Sequence, residues 1–227
     1  MATYKINIAA CRGLDEPAAM VKAMEAYGLA ESEAMGVLHA SVAGGAAFGT
    51  LVRRTNVAIQ RVDAKTRELV SQSVEKVTLI PFGAFPQAEQ LEVYAGSAGT
   101  IKEVEAFLGG ALTMAVAVDP IELDVQTAVE KLMKSTQKFQ LRAIRVSDYA
   151  ANSYMIGPYA PKFMDTEHGL KFLEQYAEAI QTAQVRFAGP GGRAAATLTP
   201  AACFSYSCPE DDQPHVQQIL RKLAGRK

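Results

Sequence analysis

The stretch from Ala34 to Val52 contains no Asp, Glu, Lys or Arg, and Arg53 and Arg54 follow it directly. A segment of this length could cross a membrane as a helix, with the arginines at its end. However, it contains four glycines and is rich in Ala rather than Leu, which makes its transfer into lipid unfavourable. We therefore predict a buried helix or a pair of strands, broken at Gly44-Gly45, and no membrane span.

The composition is that of a folded, water-soluble protein. The chain has 227 residues, 49% of them hydrophobic, and a formal net charge of −1. These values exclude a disordered chain, a collagen-like chain and a nucleic-acid binder that relies on overall charge. Three cysteines cannot form a complete disulfide framework, and the N-terminus begins an alternating strand rather than a signal peptide. We expect a cytoplasmic location, and no motif indicates a cofactor.

The hydrophobic pattern predicts an α+β fold with a mostly antiparallel sheet and helices on one of its faces. Apolar and polar residues alternate in several short segments, and apolar residues recur at helical spacing in others. Asp15 is expected to cap the first helix, Gly28 to end it, and Ser32 to cap a second helix. Asp119-Pro120 is expected to open a helix that ends near Lys134, although Ile121, Leu123 and Val125 could instead form a strand. Asp165 is expected to cap a later helix. Strands are predicted at residues 3–10, 51–62, 67–72, 75–82, 91–94, 114–118, 139–149, 154–156, 185–187 and 194–207.

We predict a single α+β domain over residues 1–227, and an internal duplication within it is a further hypothesis to test. Residues 77–112 and 142–177 both show the order strand, turn, strand, helix. At an offset of 65 residues, Tyr94-Ala95 aligns with Tyr159-Ala160, and Phe107-Leu108 aligns with Phe172-Leu173. Two such ββα units could together form one saddle-like sheet.

The main functional signal is a basic hairpin around a turn at residues 63–66. Cations on a sheet, next to aromatic side chains such as Tyr149 or Tyr154, can hold phosphates and stack bases. Val57 and Ile59 are predicted to lie on the buried face of their strand. Strand parity opposes a full set, because Arg61 has the parity of Val57 and Ile59 unless a bulge near Val62 intervenes, and because Arg142 and Arg145 have opposite parity. The candidate contacts to nucleic acid or an acidic protein partner are Arg53, Arg54, Arg61, Lys65, Arg67, Arg142 and Arg145.

Cys203, Cys208 and His215 are secondary candidates for a metal site, since zinc binds thiolates and imidazoles. The C-x4-C spacing is loose, and residues five apart in a continuous strand point to opposite faces. The cysteines therefore fit better as small buried apolar residues.

Other short patterns were tested for catalytic or anion-binding roles. Gly189-Pro190-Gly191-Gly192-Arg193 could hold a phosphate through backbone amides, although it lacks the P-loop pattern. Ser135-Thr136-Gln137-Lys138 matches S-x-x-K without the rest of that motif.

These patterns give no catalytic constellation, so an enzyme is not favoured. The leading hypothesis is a non-catalytic binding protein with a cationic sheet face. One alternative is a small enzyme whose site, near His39 or His215, is assembled only in the fold. Another is a structural or self-assembling oligomer that uses the uncharged Ala34 to Val52 segment as its interface.

Overall fold

The computed structural model describes residues 2–29, 34–65, 67–94, 98–113, 115–152 and 155–225. The elements in chain order are β1 (Thr3–Arg12), α1 (Pro17–Tyr27), β2 (Met35–Ala43), β3 (Ala46–Val62), β4 (Leu69–Phe85), β5 (Gln90–Val93), α2 (Ala98–Leu112), β6 (Ala117–Pro120), α3 (Val125–Ser135), β7 (Gln137–Asn152), β8 (Met155–Tyr159), α4 (Thr166–Gln175), β9 (Ile180–Ala188), β10 (Arg193–Leu198), β11 (Cys203–Ser207) and α5 (Gln213–Ala224).

The fold is α+β with mostly antiparallel strands, which confirms the predicted class. The chain divides into two compact units. Unit 1 comprises Met1–Ala10, Tyr94–Ala98 and Val118–Lys227, and unit 2 comprises Cys11–Val93 and Gly99–Ala117. The single domain over residues 1–227 stays a prediction.

Unit 1 is a sheet with three helices on one face. Its strand order is β1-β11-β10-β9-β7-β8. One face of this sheet and the helices α3, α4 and α5 share one hydrophobic cluster, in which Phe204 and Val185 of the sheet meet Leu132, Leu173 and Leu220 of the helices. The helices α3, α4 and α5 are amphipathic, so each buries one stripe and exposes the rest.

The segment between Asp119 and the start of α3 differs from its prediction. The helix begins at Val125, not at Pro120, because Asp124 is the N-cap and its side chain accepts from the backbone amide of Thr127. The amide of Leu123 bonds to the carbonyl of Pro200, 2.7 Å away, which holds the preceding residues out of the helix. The strand predicted at residues 114–118 begins only at Ala117.

Unit 2 has the strand order β2-β3-β4-β5, with α1 and α2 packed against it. The uncharged segment is a pair of strands, β2 and β3, that turn at Gly44-Gly45, where both glycines have positive φ. This confirms the predicted pair of strands and rules out the alternative of a buried helix. The helix predicted after Ser32 is wrong from Met35 onward, because those residues pair with β3; Ser32 itself lies outside the described residues.

The hairpin of β3 and β4 extends well beyond its neighbours. β2 pairs with β3 only as far as Arg53, and β5 pairs with β4 only from Phe82. Residues 54–62 and 69–79 therefore form a two-stranded ribbon, here called the arm, with both faces largely exposed. Val57 and Ile59, predicted to be buried, are 40% and 43% exposed because nothing in the described structure covers either face.

The register of the arm corrects two further predictions. Cα partners run without a shift from Ala47 opposite Ala84 to Val62 opposite Leu69, so there is no bulge near Val62. The two strands predicted at residues 67–72 and 75–82 are one continuous strand, β4.

The predicted duplication has matching element orders in its two halves. Residues 77–112 contain the end of β4, then β5 and α2, and residues 142–177 contain most of β7, then β8 and α4. Order alone does not establish a duplication, which stays a prediction.

In the described part of the chain, no helix is both long and apolar enough to cross a membrane.

Candidate functional site

The face of the unit 1 sheet opposite the helices is polar and cationic; we call it the open face. Alternation along β11 buries Phe204 and Tyr206 and leaves Ser205 and Ser207 on the other side. The register extends this side across the sheet, since Lys5 pairs with Ser205, Ser205 with Thr197 and Thr197 with Gln184. Neighbouring strands are about 4.8 Å apart, so these residues form a row across four strands.

A register shift in β7 places both of its arginines on the open face. Arg145 pairs with Thr182, which is two residues from Gln184 and shares its side of the sheet. The register shifts between Leu141 and Ala143, so Arg142 has no Cα partner and borders the same depression as Gln184. The sequence argument that parity separates Arg142 from Arg145 fails here, because one extra residue in a bulge reverses parity.

Three further cations on the open face were not among the sequence candidates. Lys5, Arg186 and Arg193 alternate with buried residues of β1, β9 and β10, and all three are exposed. A signal for them existed in the sequence, since each occupies a polar position of an alternating segment. It could not be used without knowing which strands are neighbours.

Acidic residues are nearly absent from the strands that form this face. β1, β7, β9, β10 and β11, all described throughout, contain no Glu and a single Asp, Asp148, which accepts from Ser147. Among the described residues, none of the five cations Lys5, Arg142, Arg145, Arg186 and Arg193 is in an ion pair. Their charge is therefore not neutralised within the fold, and an anionic ligand could approach it.

The centre of the open face is a shallow depression of about 220 Å³. Arg142, Arg186 and Gln184 border it, and its floor is built from small residues such as Ala195 and Ser205. Small side chains on the floor leave the backbone close to the surface, and the guanidinium groups stand beside it. Guanidinium groups and hydroxyls are the donors that phosphate oxygens accept.

Aromatic side chains do not contribute to this face in the way predicted. Tyr149 packs in an aromatic cluster with Tyr159, Phe172 and Tyr176, on the side of the sheet covered by α4. It therefore offers no stacking platform beside the cations. Tyr154, the other predicted aromatic, lies outside the described residues.

The remaining candidate cations belong to unit 2. Arg53 forms a partly buried ion pair with Glu103 of α2, so its charge is already neutralised. Arg54, Arg61, Lys65 and Arg67 lie along the arm and at its tip. Arg61 lies on the same side of the arm as Val57, as parity predicted, and its Nη1 is 3.5 Å from Oε1 of Gln72.

The candidate metal ligands are separated by the fold. Cys203 is on the open face, Cys208 is in the core and His215 is exposed on α5. No group of three His, Cys, Asp or Glu side chains among the described residues could hold a metal ion. Burial raises the pKa of Cys203, and burial together with the Asp212 carboxylate raises the pKa of Cys208, so both thiols stay protonated near neutral pH.

The glycine-rich loop already holds an anion, the side chain of Asp212. The amide of Gly191 donates to Oδ1 of Asp212 at 2.8 Å. Asp212 is only 2% exposed, and a Cβ at Gly189 would lie 2.6 Å from its Oδ2. The predicted phosphate loop is therefore occupied by an internal carboxylate.

Asp165 and His168, the ion pair at the start of α4, form a helix cap rather than a catalytic dyad. Asp165 accepts from the backbone amide of His168, and this bond, with the imidazole 2.8 Å away, lowers the pKa of the carboxyl. Both side chains are exposed.

Comparison with protein-family models gave no match, and no curated protein is significantly similar to the chain.

Proposed function

We propose that the protein is a non-catalytic binding protein that holds the phosphate backbone of a nucleic acid on the open face of unit 1. The observation that supports the proposal is the set of five cations on one sheet face whose strands contain one carboxylate. Contacts to phosphates position a nucleic acid without reading its sequence. Because the described aromatic side chains of these strands, such as Tyr149, pack on the helix side, binding is expected to be independent of sequence and of base stacking.

The first test reverses the charge of two arginines of the open face. Arg145→Glu with Arg186→Glu is expected to weaken binding to labelled DNA and RNA oligomers at least tenfold, because two favourable phosphate contacts become repulsive. Fluorescence anisotropy at low salt measures the affinity. Both side chains are exposed, so the fold is not expected to change.

Two matched variants locate the site. Lys22→Glu with Lys222→Glu makes the same change of charge at exposed positions of α1 and α5, and should bind as the wild type does. Arg54→Glu with Arg61→Glu makes it on the arm. An open-face site would be contradicted if only the arm variant lost binding, or if the open-face, control and arm variants lost it equally. In a competition experiment, polyglutamate that displaces the protein as well as DNA does would indicate an acidic protein partner instead.

A further inference from the structure

The polar side chains between the cations of the open face make no hydrogen bond inside the fold. Ser205 and Thr197 pair across β11 and β10, and Gln184 follows on β9. All three are at least partly exposed. In the part of the chain that the structure describes, no other residue forms a hydrogen bond with their side chains. The open face therefore offers hydroxyl and amide groups to a ligand as well as positive charge.

The strands of the open face present no aromatic surface on which a base could stack. All six of their aromatic residues belong to the hydrophobic cluster shared with the helices or pack against it: Tyr4, Phe139, Tyr149, Phe187, Phe204 and Tyr206. Proteins that bind single-stranded nucleic acids rely on stacking between bases and aromatic side chains. A duplex, whose bases already stack on one another, fits this face better.

The width of the open face decides which groove of a duplex it can meet. From Lys5 of β1 to Arg145 of β7 the face spans four strand spacings, or about 19 Å. The grooves of B-form DNA are about 12 Å and 6 Å wide, so the face cannot enter either groove and reaches only phosphates. The minor groove of an A-form RNA duplex is wide and shallow, and it displays the 2′-hydroxyls. Such a groove can lie flat against the face.

We propose that the nucleic acid held on the open face is double-stranded RNA, bound across its minor groove. The arginines of β7 and β9 on one side and Lys5 on the other would contact phosphates. Between them, Ser205, Thr197 and Gln184 would bond to 2′-hydroxyls, which both donate and accept hydrogen bonds. This inference rests on the proposed nucleic-acid binding and adds which nucleic acid is bound and through which groups.

Duplexes of one sequence but different sugars test the proposal without altering the protein. The RNA duplex is expected to bind about tenfold more tightly than the DNA duplex at the same salt, because hydrogen bonds to 2′-hydroxyls add to the phosphate contacts. A 2′-fluoro duplex keeps the A-form but has no hydroxyl donor, so it should bind about as weakly as DNA. Single-stranded RNA of the same sequence should bind more weakly than the RNA duplex. Fluorescence anisotropy measures each affinity.

Removing two hydroxyls of the open face tests the same contacts from the side of the protein. Thr197→Val with Ser205→Ala is expected to weaken binding of the RNA duplex about fivefold, because hydrogen bonds to the sugars are lost. Binding of the DNA duplex should not change, since no charge is altered. Ser71→Ala with Ser73→Ala removes two exposed hydroxyls from the arm and should leave both affinities as in the wild type.

The outcomes separate this inference from the proposed function. Equal affinities for the RNA and DNA duplexes would overturn the inference and leave phosphate binding on the open face intact. So would a 2′-fluoro duplex that binds as tightly as RNA, a single strand that binds more tightly than the duplex, or a Thr197→Val, Ser205→Ala variant that keeps the full preference for RNA. No binding of any of these nucleic acids at low salt would overturn the proposed function as well.

Discussion

At the scale of single residues, the glycine-rich loop at residues 189–192 binds a side chain of its own protein, Asp212, rather than an external anion. The Asp212 carboxylate occupies the position that a phosphate would take in the loop. A buried charge needs hydrogen bonds, and the amide of Gly191 supplies one. The glycines are needed because the loop passes so close to the carboxylate that a side chain would collide with it.

This contact predicts that Gly189→Ala destabilises the protein. The new Cβ would lie 2.6 Å from Oδ2 of Asp212, so either the loop or the carboxylate must move. We expect a loss of about 1–3 kcal/mol in the free energy of unfolding, as for other overpacked sites. Urea denaturation measures it. Gly157→Ala is the control, because nothing lies within 4 Å of its Cβ, and its effect should stay within about 0.5 kcal/mol.

An equal stability for Gly189→Ala and wild type would show that the loop yields freely, and that Asp212 is not held by a rigid loop.

At the scale of elements, the arm is a part of β3 and β4 that lacks the neighbours the rest of these strands have. Elsewhere in β3 and β4, Leu51 and Ile80 are fully buried and their strands have further neighbours. In the arm, each strand pairs with no strand but the other among the residues that the structure describes. An isolated two-stranded ribbon is marginally stable in water, so the arm should open locally while the rest of its hairpin stays closed.

Amide hydrogen exchange in dilute solution tests this expectation. Amides of residues 55–62 and 69–79 should exchange faster than those of residues 47–52 and 80–85 in the same strands, because local opening exposes them without global unfolding. A uniform rate along β3 and β4 would contradict it and would show that the hairpin opens as one unit. Repeating the measurement at a second protein concentration is the control for protection caused by self-association.

The sequence predicted some helix ends and missed others. Asp15, predicted to cap α1, is not its N-cap, which is Glu16. Gly28 ends α1 with a positive φ, and Asp165 caps α4 through the amide of His168, both as predicted. Caps are local, since a side chain and an amide three residues away suffice. The start of α3 was missed because Asp119-Pro120 and Asp124 are both valid local starts. A bond between Leu123 and distant Pro200 keeps the chain extended as far as Asp124.

At the scale of the whole molecule, a net charge near zero conceals a local separation of charge. The chain has 23 basic and 24 acidic residues, yet the five strands of the open face contain one Asp. Acidic residues of unit 1 lie instead on the helices and loops, such as Glu130, Glu167 and Glu178. A ligand close to the open face meets the local field rather than the net charge, since screening confines the field to about 10 Å.

The proposed site therefore predicts a definite salt dependence. If all five cations of the open face contact phosphates, log K for duplex DNA should fall against log salt with a slope of about −4.5, and for single strands of about −3.5. Anisotropy titrations over a salt series give the slope. Arg145→Glu with Arg186→Glu should make it shallower by about 2. A slope near zero would mean that binding does not use these phosphates.

The sequence by itself determined the fold class, most strands and the helix ends at Gly28 and Asp165, because alternation, helical spacing and capping are properties of neighbouring residues. It also showed that Gly44-Gly45 interrupts the uncharged segment. The tertiary structure decided which cations share a face, since this depends on strand order and on one bulge in β7. It also decided that the arm is exposed on both faces, because burial requires a neighbour that local sequence does not specify.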